Sequence, residues 1–245
     1  MGVPSEAELP RPARRAPPPA LVALLAPDAG MERQARAGGA RLAFALALVC
    51  SLLVGFAQAV RIDARSATLE KLDKAGTLQT MSEKQLADEI KGAERLYQVG
   101  RVAWGAVEAP VFLLLLALAV VVLVWFMRGK MKGRAVFPVA AAALLPLAIA
   151  NLLDAVAAFE RDSLPLSSAV LSPRSFSAVL AVLGHPLAEP FSRLGNALDF
   201  FSLWGAILLG YGVAAAGDLP ARRAVAVTLL GWVCWRLVLS VGLGG

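Results

Sequence analysis

Five apolar runs, each about as long as a bilayer is thick, alternate along this chain with bands of charge, at about 42–60, 109–126, 136–158, 197–216 and 224–243. A helix rises about 1.5 Å per residue, so roughly twenty apolar residues cross the hydrocarbon core. The pattern predicts an all-α, polytopic membrane protein with five transmembrane helices. Arg41 and Arg61 bracket the first run, in which Gln58 near the exit is the polar residue that stands out. Trp104 and Pro110 announce the second, since an indole suits the interfacial belt and proline suits a first helical turn. Pro138 and Pro146 predict a kink or local break in the third, with Asn151 and Asp154 toward its far end. The fourth opens on Leu198-Asp199-Phe200-Phe201-Ser202-Leu203-Trp204 and stops at Asp218-Leu219-Pro220. Arg222-Arg223 lead into the fifth, which carries Trp232, Trp235 and Arg236.

The segments between the runs differ in kind. Residues 1–40 hold Pro10-Arg11-Pro12, Arg14-Arg15 and Pro17-Pro18-Pro19, a proline density that predicts a disordered tail. Within it, Pro19–Leu25 could form a short helix lying on the membrane. Arg14-Arg15 before Ala20-Leu21-Val22-Ala23-Leu24-Leu25 resembles a signal peptide, but the apolar core is too short for cleavage. Residues 61–108 contain eight acids and eight bases and read as a charged, partly helical extramembrane segment. Ser82-Glu83-Lys84-Gln85 has capping-box spacing, and Leu86, Ile90, Ala93 and Tyr97 then recur at helical spacing. That stripe suits a helix leaning on its own protein, with docking of a partner as the rival reading. Residues 163–196 are too uncharged for a solvated loop and too broken for a span, with Gly184-His185-Pro186 and Pro190 interrupting them. They are expected to form a re-entrant or interfacial segment before the fourth helix.

Composition agrees with lipid as the main solvent. The chain is 58% hydrophobic and 17% charged, where soluble proteins average about a quarter charged. The net charge of +6 is placed as in cytoplasmic membrane loops rather than as in a nucleic-acid binder. Arg128, Lys130, Lys132 and Arg134 fall within seven residues without an acid, and Arg222-Arg223 fall on the same side in a five-span plan. With Arg33, Arg36 and Arg41 they predict a cytoplasmic N-terminus and an outside C-terminus. Cys50 and Cys234 both lie in apolar runs, and His185 is the one histidine, so neither a disulfide framework nor a metal site is expected.

Charge inside a bilayer marks a function or an internal pair. The candidates are Asn151, Asp154, Asp199 and Arg236. Asp199 near the outer end of the fourth run and Arg236 in the outer half of the fifth differ in depth by only a few ångströms, about the reach of an arginine stem. They are expected to pair, with Asp154 as the rival partner. No catalytic residue is expected: there is no Gly-x-Ser-x-Gly, no His-Glu-x-x-His and no phosphate-binding loop. Gly205, Gly210 and Gly212 would permit close helix approach, in self-association among other uses.

From about Leu24 onward the chain resembles the bacterial branch of the Yip1 domain family. The likeness lies in a basic tail, five spans, a proline-broken segment before the fourth, the opening Leu198-Asp199-x-Phe201-x-x-Trp204, the turn Arg222-Arg223 and a Trp-rich last helix. Segment 61–108 is longer than the first loop of that plan, and the tail before Leu24 has no counterpart in it. The resemblance implies a multi-pass protein of the inner membrane, with no catalytic residues and no cofactor. The expected function is a non-enzymatic scaffold or adaptor in membrane or envelope organisation. The alternative is a transporter or permease subunit with an outer-side polar site. Expected partners are membrane lipids, with other membrane proteins or a second copy left open, and no nucleic acid.

Overall fold

A computed structural model of the chain describes residues 17–161, 175–185, 188, 195 and 199–242. The described part is helical: α1 Pro19–Leu25, α2 Pro27–Ala37, α3 Arg41–Arg61, α4 Ala64–Lys74, α5 Glu83–Phe126, α6 Gly133–Ala143, α7 Leu145–Phe159, α8 Phe176–Val182, α9 Phe200–Gly217 and α10 Ala221–Gly242. Among the described residues, four stretches are long and apolar enough to cross a membrane: α3, α5, α6 with α7 as one broken span, and α9. α10 is not among the stretches found over the described residues. The chain is therefore a multi-pass membrane-helix protein.

α6 and α7 form the central post and are the most buried of the four. The expected kink or local break falls at Leu144, which keeps helical dihedrals, with Pro146 in the first turn of α7 where its missing N–H costs nothing. Around the post the core is built from small residues. Val139, Ala140 and Ala143 of α6 meet Leu208, Leu209 and Val213 of α9 and Val120 and Val124 of α5 in one apolar cluster. In lipid there is little hydrophobic drive between helices, so close packing of small side chains carries the association. Gly205, Gly210 and Gly212 serve that packing inside the chain. A Cβ on Gly210 would meet Val225 Cα of α10 at 2.7 Å, and one on Gly212 would overlap Val139 of α6.

Two expectations are corrected here. Disorder does not extend through residue 40: residues 17–37 carry two helices, and Ala20, Ala23, Met31 and Gln34 are buried. The prolines fall at the first turns of α1 and α2, where they start a helix rather than break one. α1 occupies the predicted Pro19–Leu25, but both helices fold back on the bundle, α2 against α6 and α9. Gln34 Nε2 donates to Gly39 O at 2.5 Å and to Pro138 O at 3.3 Å, which ties α2 to the post.

The second correction concerns α5. The expected capping box is present, with Ser82 Oγ accepting from Gln85 N and Gln85 returning to Ser82 N. From there α5 runs without interruption for 44 residues, about 66 Å, so Pro110 lies inside the helix rather than at its start. Residues 101–108 pack against the second half of α3. A Cβ on Gly55 of α3 would meet Arg101 O at 2.7 Å, and one on Gly105 of α5 would meet Ser51 O at 2.7 Å. The two backbones touch at this crossing.

Replacing either glycine must push α3 from α5. Gly105→Ala is expected to cost about 1–3 kcal/mol, the usual range for overpacking. Gly231→Ala on α10, where a Cβ meets nothing within 4 Å, should be neutral or stabilising. Thermal unfolding in detergent micelles distinguishes the two.

Candidate functional site

The Gly55–Gly105 crossing sets the register of a polar seam. α3 contributes Ser51 and Gln58, seven residues apart; α5 contributes Arg101 and Glu108, also seven apart; α7 contributes Asn151 and Asp154, three apart. Each spacing places its two residues on one helix face. Ser51 Oγ donates to Glu108 Oε2 at 2.6 Å, and Asn151 Nδ2 donates to the same oxygen at 3.3 Å. Arg101 Nη1 donates to Gln58 Oε1 at 3.2 Å. Asp154 is only 2% exposed. Between these groups lies a crevice of about 90 Å³, lined by Gln58, Arg101, Trp104, Glu108, Asn151 and Asp154 among others. Gln58 and Arg101 lie toward the C-terminal end of α3, the end away from loop 128–132.

The structure thus brings together two of the four sequence candidates, Asn151 and Asp154, around a carboxylate that was not among them. Neither Asp199 nor Arg236 lines this crevice. Asp199 is the N-cap of α9: its Oδ1 accepts from Phe201 N at 2.8 Å and Ser202 N at 3.3 Å. Its backbone forms an antiparallel bridge with Ser175, at the start of α8. Arg236 lies half-buried on α10, which packs chiefly on α9. Of the expected re-entrant segment, α8 and the left-handed Gly184 that ends it are described; most of 163–196 lies outside the described residues.

Two further surfaces flank the seam. Beyond α3, helix α4 packs on the first half of α5 and makes a charged arm. The predicted stripe Leu86, Ile90, Ala93 and Tyr97 is half-buried on that helix, whereas Leu96 and Val99 are 72% and 62% exposed. At the opposite end, loop 128–132 is fixed to α9, with Lys130 N donating to Gly217 O at 2.7 Å and Lys132 N to Ala216 O at 2.8 Å. A groove of about 630 Å³ opens there between α2 and the end of α9, lined by Asp28, Glu32, Arg36, Lys132 and Asp218 among others. Arg36 pairs with Glu32, and Lys132 with Asp218 at 3.5 Å; both pairs are exposed and contribute little.

Among the described residues, no group of three or more His, Cys, Asp or Glu side chains is arranged to hold a metal. Comparison of the chain with known protein families, with curated proteins and with solved structures finds no match in any of the three.

Two outcomes are expected of the caps. Asp199→Ala should cost about 1 kcal/mol of stability while Asp199→Asn retains most of it, because either side chain can accept from the exposed N–H groups. On the arm, hydrogen bonds from the Ser66 hydroxyl and backbone N–H hold the Asp63 carboxyl below its ordinary range. A lowered carboxylate contributes stability above its unfolded pKa and loses it as pH falls through the folded value. Protection of the first α4 amides from hydrogen exchange, relative to the intrinsic rate at each pH, should therefore fall as the pH drops below about 4, and that fall should be absent in Asp63→Asn.

Proposed function

We propose that this protein is a non-enzymatic membrane scaffold whose α4–α5 arm docks a partner outside the bilayer. The observation that carries the reading is the continuity of α5: one helix holds both a charged, exposed arm and an apolar span. A partner on the arm is then coupled rigidly to the bundle. The apolar contact of α6 with α9 offers no polar path between those two spans, which favours a scaffold over a channel. In this reading the chain is an inner-membrane protein of the bacterial Yip1-like type. α10, 22 residues and about 33 Å long, is its fifth span, the N-terminus is cytoplasmic and the arm is outside. Support for the orientation comes from the basic loop 128–134 and Arg222-Arg223, which lie at one end of the bundle. Asp199 and Arg236 would fix the register of α9 against α10. The crevice at Glu108 favours a second reading, a permease subunit with an outer-side polar site.

Photo-crosslinking in intact membranes tests the first reading. A crosslinking residue at Leu96 or Val99 should capture one protein reproducibly, whereas one at the exposed Leu118 in the apolar half of α5 should capture lipid. Lipid alone at all three positions would overturn it.

A further inference from the structure

We propose that loop 128–134 and the turn from α9 into α10 together form one binding site for the headgroup of an anionic phospholipid, and that a lipid with two linked phosphates fits it best. The inference stands apart from the docking role of the arm. Its starting point is the backbone. Lys130 N donates to Gly217 O and Lys132 N to Ala216 O, which stitches two connections distant in sequence side by side. Gly129 permits the approach, since a Cβ there would meet Gly217 O at 2.7 Å.

The stitched turns gather charge of one sign. They hold Arg128, Lys130, Lys132, Arg134, Arg222 and Arg223 against one acid, Asp218, which Lys132 already engages. The other five side chains are exposed, and none forms an ion pair among the described residues. Asp28 and Glu32 of α2 line the groove on the Lys132 side, which none of those five lines. Three of the five also stand where a cation is locally unfavourable. Arg134, Arg222 and Arg223 lie in the first turns of α6 and α10, which contain no acid and where the helix dipole disfavours positive charge. Arg128 ends α5 in the left-handed region, at φ 57°, a position that glycine usually fills. A bound anion offsets both the mutual repulsion and the dipole.

Position selects lipid as the source of that anion. The stitched turns lie at the ends of α5 and α9, both long and apolar enough to cross a membrane. Trp125 and Phe126, 77% and 68% exposed, precede Arg128 within one helical turn. Exposed aromatic rings at the end of an apolar run sit at headgroup level, and basic pockets between spanning helices at that level hold lipid phosphates. Two phosphates on one molecule are favoured over two separate lipids, because the second contact is then made within a molecule already bound.

Native mass spectrometry of the full chain in detergent micelles tests this, with tetraoleoyl diphosphatidylglycerol and dioleoyl phosphatidylglycerol titrated at equal phosphate. The two-phosphate lipid should bind at least about tenfold more tightly. Equal binding of the two overturns the site and leaves only diffuse attraction to a basic end. Lys130→Gln and Arg222→Gln, neither of which alters a backbone contact, should each weaken that binding about fivefold, while Arg95→Gln on the arm should not. Unchanged binding in both variants puts the lipid elsewhere and overturns the assignment. Gly129→Val keeps every charge but parts the two turns, so it should abolish the preference between the lipids. A preference that survives there refutes the stitched geometry; should Gly129→Val fail to fold, the two charge variants decide. Inorganic pyrophosphate in excess should leave the lipid in place, and its displacement would overturn lipid in favour of a soluble phosphate ligand.

Discussion

Contact between two glycines, Gly55 of α3 and Gly105 of α5, is the constraint on which the rest of this structure depends. Any larger residue at either position would meet a carbonyl oxygen of the other helix at about 2.7 Å. Because the backbones touch, the faces that follow in each helix are fixed against one another. Ser51 comes to Glu108 and Gln58 to Arg101, each pair separated by the same two helical turns. A looser crossing would part the Glu108 carboxylate from Ser51 and the Arg101 guanidinium from Gln58. The energetic cost of unpaired polar groups in lipid thus turns a steric coincidence into a specific register.

Sequence periodicity located most of the helices. The apolar runs at 42–60, 136–158 and 197–216 correspond to α3, to α6 with α7 and to α9, because length and hydropathy alone decide what can cross a bilayer. Ser82 and Gln85 marked the start of α5 because a capping box is a local device. What was not legible was that α5 continues unbroken from the charged segment into the apolar run. Arg101 and Glu108 read as charges of a solvated segment, and only the crossing with α3, distant in sequence, brings them against Gln58 and Ser51. Glu108 was missed for that reason, although its spacing of seven from Arg101, matching Ser51 and Gln58, was a signal available in the chain. Asp199 was noticed as a charge near a span end, while its capping geometry gives it a plainer use.

The N-terminal segment was misjudged through proline. Pro19 and Pro27 break a helix only from the inside, and each stands at a first turn. The buried Met31 and Gln34 give α2 an apolar contact and a hydrogen-bonded anchor on α6 and α9, which no pattern within residues 1–40 reveals. Its exposed ion pairs add little to that.

An unbroken α5 is also a lever with its fulcrum at Gly105. Glu83 lies 22 residues beyond the fulcrum, an arm of about 33 Å, while Glu108 lies less than one turn on the other side. A tilt of about 10° about the crossing would carry the tip of the arm through roughly 6 Å and move the Glu108 carboxylate by less than about 1 Å. Large excursions of the arm therefore reach the seam as small changes in hydrogen-bond length. Conversely, a sub-ångström rearrangement around Ser51 and Asn151 is magnified several-fold at the surface that faces water.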